Sequence, residues 1–408
     1  MTGQQVLQVS LDTTADVQVR LSLLTDQGAG WATVWSVVVG SDEIGLPTLV
    51  SGDPIDDGRF RLPAVVATGL PPHLSDIARV TWLQLREPFG YLGMVPWEQL
   101  LAPVVPGPVL RLPSIDLGAR VPSDDLQVAL LAVAPDPDRQ GAAAEYLHGR
   151  RIDAGSRLRS WTQSRPDAEA RDQPAPPRSL RPDEHRLTAD GVGLLVDAIL
   201  RGSPRRTTVH VVTTPRLFHE LRARWRDRTW PVHLHPPPAT GAATGSDWFS
   251  QVRAAMGGEQ ADVVHLVCGA SVSGAKVRLA MADVPDGTGQ DGSRFVSLST
   301  LRRFLDAVGA WSVHLTAAPG DLAVPALRLA AARLVEERPG PVVLTDLATD
   351  LDAAEVRAAY RFLCRTEPTV PPTLSHTLVG CEPHRVRGGE GLAADQGCLL
   401  YTSPSPRD

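Results

Sequence analysis

The sequence predicts an α/β protein with a mostly parallel sheet, preceded by a small β-rich region. Three observations support this prediction. From residue 189 onward, apolar segments of strand length alternate with helical segments, a rhythm typical of parallel strands with helices on both faces. Residues 262–268 contain a short apolar run, which predicts a central strand covered on both faces. Residues 6–24 instead largely alternate apolar and polar side chains, which predicts strands with one solvated face.

The amino-terminal region is predicted to form a separate β domain over residues 1–115. Its candidate strands are separated by turns rich in Gly, Pro and Asp, which favours a sandwich or half-barrel. A helical turn with Pro at its start is predicted at residues 96–101. The predicted strands occupy residues 6–24, 31–39, 59–66, 79–86 and 108–113.

A longer α/β domain is predicted over residues 126–370. Its strands are predicted at residues 126–134, 207–213, 231–235, 262–268, 276–281, 295–298, 311–316 and 341–344. Its helices are predicted at residues 142–148, 189–201, 215–226, 247–256, 300–308, 322–337 and 353–365. Residues 150–186 are dense in Arg, Pro, Asp and Ala with few large apolar side chains, which predicts a disordered insertion.

The residues after 370 are interpreted as two segments. Residues 371–397 are interpreted as a tail. Residues 398–408, CLLYTSPSPRD, resemble translated sequencing-adapter sequence, so this segment is interpreted as an artefact and Cys398 is given no role.

Composition and charge restrict the function classes. The 408 residues carry a net charge of -6 and show no clear basic patch outside the insertion, so neither nucleic acid nor an acidic membrane is expected as a partner. Residues 128–135 and 263–270 are the longest apolar runs and are far too short for a membrane span. The four cysteines include no CxxC pair, so no disulfide framework, metal site or cofactor is expected. A cytoplasmic protein is the expectation.

Four segments together resemble the CHAT family of caspase-like proteins. They are VVHLVCGA at 263–270, FVSLSTLRRFLDAVGAWSVHLTAAP at 295–319, GPVVLTDLATD at 340–350 and FGYLGMVPWEQLLAPVV at 89–105. The resemblance implies a caspase-like, three-layer α/β sandwich. It also implies a cysteine peptidase dyad, with a His and a Cys at the carboxyl ends of neighbouring strands.

The two dyad positions differ from the family pattern. Where the family has a His-Gly pair after the first strand, this sequence has Gly269 and Ala270, and where the family has Ala-Cys it has Ala317 and Ala318. Without a thiolate nucleophile and an imidazole to activate it, the peptidase chemistry is lost. The resemblance therefore implies a catalytically degenerate module that acts through protein contacts in a bacterial signalling or conflict system.

An active cysteine peptidase that cleaves after a basic residue is the alternative. Its fallback nucleophile is Cys268, with His265 or His314 as the imidazole, while Asp346 and Asp350 would line a pocket for the basic side chain. Cys268 and His265 are three residues apart on a strand, so their side chains are expected on opposite faces, as core residues. Asp350 is also well placed to cap the helix that follows. The partner would then be a peptide substrate rather than a protein.

The loop after the central strand and the amino-terminal domain each suggest one further interpretation. The small-residue run at 269–274 is predicted to be a turn and not a phosphate-binding loop, because it lacks the Lys-Ser/Thr step and an immediate helix. The third functional hypothesis is an adaptor whose β domain binds a partner. It predicts an exposed apolar patch on that domain. The oligomeric state is left open.

Overall fold

The fold is described from a computed structural model. It describes residues 4–12, 17–27, 30–47, 55, 57–74, 80–113, 123–135, 187–237, 248–273, 276–282, 293–317, 324–345, 353–374, 376–387, 389 and 392. The predicted helix at 142–148, the predicted insertion at 150–186 and the segment at 398–408 lie outside these residues.

The protein is an α/β protein with a large, mostly parallel mixed sheet and an amino-terminal antiparallel β region. The strands are β1 (Gln5–Asp12), β2 (Gln18–Asp26), β3 (Trp31–Gly40), β4 (Thr81–Leu85), β5 (Val109–Arg111), β6 (Asp125–Ala132), β7 (Arg206–Thr213), β8 (Val232–Leu234), β9 (Val263–Ser273), β10 (Lys276–Ala282), β11 (Ser293–Ser297), β12 (Ser312–Ala317), β13 (Val342–Thr345) and β14 (Thr377–Gly380). The helices are α1 (Ser41–Ile44), α2 (Ala64–Gly69), α3 (Trp97–Leu101), α4 (Ala189–Gly202), α5 (Pro215–Arg224), α6 (Trp248–Ala255), α7 (Leu298–Ala307), α8 (Val324–Glu337) and α9 (Ala353–Leu363).

The main sheet has the strand order β3-β2-β1-β4-β5-β14-β13-β12-β9-β6-β7-β8. Strands β13, β12, β9, β6, β7 and β8 are parallel to their neighbours in that run, and β9 lies between β12 and β6. All of these strands except the edge strand β8 have a buried apolar core because helices cover both faces, as the uninterrupted apolar run in β9 predicts.

Helices pack on both faces of the sheet and create two apolar cores. Helices α4, α5 and α9 cover one face, called here the α9 face, where they pack against Val263 and Val267 of β9. Helices α6, α7 and α8 cover the other, the α8 face, where Leu266 and Cys268 are buried. Among the described residues no helix is long and apolar enough to cross a membrane.

The predicted sandwich or half-barrel at the amino terminus is wrong. β1, β2 and β3 are antiparallel, but β1 also pairs in parallel with β4, β4 with β5, and β5 with β14. The strands therefore extend the main sheet. All five residues of Thr81–Leu85 are buried, so β4 is an interior strand of that sheet.

The predicted strand at 59–66 is also wrong. These residues span the end of a 3-10 helix, Asp57–Arg59, and the start of α2. Pro63 precedes α2, and its carbonyl accepts a hydrogen bond from the amide of Val66 at 2.9 Å. Proline favours a helix start, and here it outweighs the strand preference of the two valines in this segment.

Two segments contain strands that the sequence analysis did not assign. β9 continues through residues 269–273, where it pairs with β10, so the turn predicted at 269–274 is wrong for those five residues. Residues 371–397, interpreted as a tail, contain the fully buried β14, which lies between β13 and β5. A strand of four residues among prolines gives too short a pattern to identify.

A buried ion pair and a glycine with positive φ stabilise the chain at two further points. A buried ion pair joins α3 to β5, with Arg111 Nε donating to Glu98 Oε1 at 2.6 Å. Gly340 precedes β13 with φ at +92°, and a Cβ there would overlap the carbonyl oxygen of Trp311. Only glycine tolerates both that conformation and that close approach.

Candidate functional site

The carboxyl end of the central parallel strands is where an α/β sheet usually places its ligands. β9 and β12 are neighbours there, and Cys268 lies opposite Ala317. Cys268 has no exposed surface. Gly269 continues β9 and pairs with Ala280 of β10, while Ala318 lies outside the described residues. The first dyad position, Gly269 and Ala270, therefore lies within a paired strand.

His265 lies on the other face of β9 from Cys268. Its Nδ1 lies 3.0 Å from the Tyr360 hydroxyl, and its Nε2 lies 2.7 Å from Thr316 Oγ1. Tyr360 belongs to α9, whereas Cys268 packs in the core of the α8 face. The alternation along β9 thus separates the two side chains as the sequence predicts, and they cannot form a thiol–imidazole pair.

His314 completes a buried cluster with His265 and Tyr360. Its ring centroid is 5.5 Å from that of His265 and 4.5 Å from that of Tyr360. Neither of its nitrogens has a hydrogen-bond partner within the described residues. The two histidines are thus close together, as predicted. Both ring nitrogens of His265 are hydrogen-bonded to neutral hydroxyl groups, and each histidine is only 1% exposed.

Burial controls the ionisation of this cluster. It lowers the pKa of His265 to about 3. Burial, and then the neighbouring His265, lower the pKa of His314 well below its ordinary value. The pKa of the Tyr360 hydroxyl is raised, chiefly by burial. At neutral pH all three groups are uncharged, so the cluster is a neutral polar layer in the core and has no access to a substrate.

The other described thiols are equally unsuited to attack a carbonyl. Cys364 and Cys381 are buried, and burial is the main cause that raises the pKa of Cys364 to about 12. Burial also raises the pKa of Cys381. Both thiols are therefore protonated at neutral pH, whereas a catalytic cysteine requires a thiolate. No hydrogen bond joins either of them to an imidazole in the described residues.

The predicted acidic specificity residues, Asp346 and Asp350, lie outside the described residues. The part of the chain that is described contains no group of three or more His, Cys, Asp or Glu side chains placed to hold a metal ion.

A second histidine cluster, missed by the sequence analysis, lies near the β8 edge of the sheet. His210 of β7 has its Nε2 3.1 Å from Gln127 Oε1 and its Nδ1 3.1 Å from His235 Nε2. His233 lies beside them, with its ring centroid 5.1 Å from that of His210. Because the amide oxygen accepts, Nε2 of His210 carries the proton and Nδ1 accepts from His235. The His-Leu-His sequence at 233–235 is the signal that could have located it.

Burial also suppresses the ionisation of His210 and His235. Burial, followed by His235 and His233, lowers the pKa of His210 to about 4. Burial and then His233 lower the pKa of His235. A bound metal would require nitrogen lone pairs of both rings to point at one common position. His210 Nδ1 and His235 Nε2 instead point at each other in a hydrogen bond, so these two nitrogens cannot both bind the same ion.

An aromatic and basic pocket of about 450 Å³ lies on the α9 face of the same edge, between α5 and β8. Trp225 and Trp230 form its apolar wall, with ring centroids 5.9 Å apart, and both are half-buried. The guanidinium of Arg228 stacks over Trp230 at 4.3 Å. Arg222 and Arg226 also line it and are exposed.

The arginines of this pocket form no ion pair among the residues that the structure describes. Within the described residues, Arg222, Arg226 and Arg228 form no ion pair, and the exposed Asp227 beside them forms none either. The indole N–H of Trp225 is buried without a hydrogen-bond partner. That N–H has almost no accessible surface, so a molecule in the pocket would not reach it, whereas an anionic group there would pair with the arginines. The sequence analysis missed this site because its residues come from both the end of a helix and a short strand.

Comparisons with known proteins give little to place beside this geometry. No family model matches the sequence, and no curated protein matches it. Among solved structures, a point mutant of the PilB minor pilin from Streptococcus sanguinis aligns with 98% of this chain and 81% of that chain, at 8% sequence identity and a TM-score of 0.24. A TM-score of this size does not indicate a shared fold.

Proposed function

We propose that the chain is a catalytically degenerate module of the caspase-like CHAT type, with a three-layer sandwich fold, which acts by binding another protein. The proposed setting is the cytoplasm, in a bacterial signalling or conflict system. The observation that supports loss of activity is the position of Cys268, which lies across β9 from His265 and has no exposed surface. A cysteine peptidase needs an imidazole within hydrogen-bond reach of an accessible thiol.

The aromatic and basic pocket is the proposed contact site for the protein partner. Half-buried tryptophans and arginines are the residues that most often anchor protein interfaces. The two indole rings offer an apolar surface, and the arginines around them have no acidic partner in the described residues. The best-suited occupant is therefore an acidic segment of a partner that inserts one aromatic or aliphatic side chain between the indoles.

Absence of peptidase activity is tested with a thiol-reactive peptide probe that carries arginine next to its reactive group. We expect the native protein to react no faster than the urea-unfolded protein, because an activated thiolate is absent. Rapid labelling of the native protein that disappears in the Cys268→Ala variant would instead restore the peptidase alternative.

Partner binding is tested with a fluorescent peptide of glutamates around a single phenylalanine, with binding followed by anisotropy. Arg226→Glu should weaken binding about tenfold, the effect of reversing one exposed charge contact. The matched control is Arg253→Glu, because Arg253 is exposed on α6, on the opposite face of the sheet. Equal affinities for the two variants would contradict the assignment of the site.

A further inference from the structure

The two outer strands of the main sheet differ sharply in how their free edges are protected. β8 forms one edge and has only three residues, flanked by Pro231 and Pro236, which cannot donate a main-chain hydrogen bond. β3 forms the other edge and has ten residues, WATVWSVVVG, with no proline and no charged side chain. Proteins normally blunt edge strands with short length, proline, charge or a bulge, and of these β3 has only a bulge, at Val34.

The outer side of β3 carries unpaired main-chain groups. In the described residues β3 pairs with β2 alone. The amide of Ser41 donates to the carbonyl of Val17 at 3.3 Å, and hydrogen-bonded pairs alternate along an antiparallel ladder. Val39, Val37 and Trp35 consequently bond to β2, in the register that places them opposite Val19, Leu21 and Leu23.

Ser36 and Val38 then direct their N–H and C=O groups away from β2. The 2.9 Å contact between the hydroxyls of Ser36 and Ser22 agrees with this register, because side chains approach more closely in the non-hydrogen-bonded pairs. Ser36 is exposed and Val38 is 39% exposed. A bulge interrupts the pairing between Leu23 and Leu24, and the Gly40 N–H already donates to Glu43 Oε1 at 2.8 Å. The free outward N–H groups of the regular segment are therefore those of Ser36 and Val38.

We infer that β3 pairs in antiparallel orientation with β3 of a second copy of this chain, which joins two sheets across a two-fold axis. A neutral strand has no charge that would select an oppositely charged partner, whereas its own copy matches it in length, polarity and alternation. The same edge on both copies makes a closed, self-complementary interface.

The charges at the ends of β3 favour the antiparallel arrangement. Asp42 and Glu43 lie in the first turn of α1, directly after the carboxyl end of the strand. Antiparallel pairing places the two acidic ends at opposite ends of the interface, about 30 Å apart for a strand of this length. Parallel pairing would bring the four carboxylates together. The inference does not depend on the proposed function, because it uses neither the pocket nor the β9 site.

The test is the oligomeric state of the full chain, followed by sedimentation velocity from low to high micromolar concentration. We expect the wild type to shift from the monomer mass toward twice that mass. Val38→Pro removes one outward N–H, and two-fold symmetry doubles the loss, so the dissociation constant should rise about thirtyfold. Val38→Lys adds the protective charge that the edge lacks and should have a similar effect without constraining the main chain.

The matched control is Val65→Lys. Val65 is 48% exposed on α2, a helix that ends beside the Trp35 side chain and contributes no main-chain group to the β3 edge. This variant should associate like the wild type. A wild type that stays monomeric at every concentration overturns the inference. So does a dimer that both Val38 variants leave intact, or one that Val65→Lys also abolishes, because either would place the interface elsewhere.

Discussion

Replacement of His265 by glutamine should change how the stability of the protein depends on pH. In the folded protein, burial lowers the pKa of His265 to about 3, whereas in the unfolded chain it takes its ordinary value of 6.5. As the pH falls through 6.5, the unfolded chain binds a proton that the folded protein does not. Acid therefore stabilises the unfolded state, and the free energy of unfolding falls progressively until the pH approaches the folded pKa.

The magnitude follows from these two values. Between about pH 7.5 and about pH 4.5, His265 alone should remove about 2 to 3 kcal/mol from the free energy of unfolding. This figure is insensitive to the exact folded pKa, because that pKa lies below the lower of the two pH values. Glutamine can still bond to Thr316 and Tyr360 but does not titrate.

The assay is urea unfolding of the wild type and His265→Gln at both pH values. Whatever the variant costs at about pH 7.5, that cost should shrink by about 2 to 3 kcal/mol at about pH 4.5, or turn into a gain. His219→Gln is the control, because His219 is exposed on α5, outside the buried cluster, and this variant measures the effect of a His-to-Gln change at the surface. A cost for His265→Gln that does not vary with pH would refute the reasoning.

Three further predictions concern stability and thiol chemistry. Arg111→Met leaves Glu98 buried without its partner, so it should lower the free energy of unfolding, measured by urea denaturation, by about 3 to 5 kcal/mol. A loss below about 1 kcal/mol would contradict the buried ion pair. Gly340→Ala should lower the melting temperature of the protein. Gly193→Ala, at a position with open space within α4, should instead stabilise the protein by about 1 kcal/mol. Effects of the same sign in the two variants would contradict this prediction. Burial raises the pKa of Cys364 to about 12, so it should react with a thiol reagent only after unfolding. Cys364→Ala should then reduce the thiol count of the unfolded protein alone, and a reduced count in the native protein would contradict its burial.

The sequence predicted the elements whose side-chain pattern is long or uninterrupted. The apolar run of β9 and the helices that alternate with strands after residue 189 appear with small shifts in their ends. The prediction failed where the pattern was short or ambiguous. Two adjacent valines suggested a strand that Pro63 turns into a helix, and four residues among prolines concealed β14.

The candidate site was predictable only in part, because it depends on contacts between distant segments. Alternation along one strand was enough to separate His265 from Cys268. It gave no indication that Tyr360, far along the chain, supplies a hydrogen bond to the imidazole. The pocket between α5 and β8 could not be predicted either. Its arginines and tryptophans resemble ordinary surface residues in the sequence, and they form a concave surface only when α5 packs beside β8.

The position of β14 has a consequence for the synthesis of this protein on the ribosome. β5 pairs with β14, although most of the chain separates Arg111 from Gly380. The strands β1 to β5 are made before β14, so they cannot be joined through it to the rest of the sheet until residue 380 has emerged from the ribosome. During that interval both β5 and β13 expose an unpaired edge, a condition that favours association between nascent chains. Closure of the sheet by β14 is therefore expected to be a late step of folding, limited by translation and by the search over a long loop.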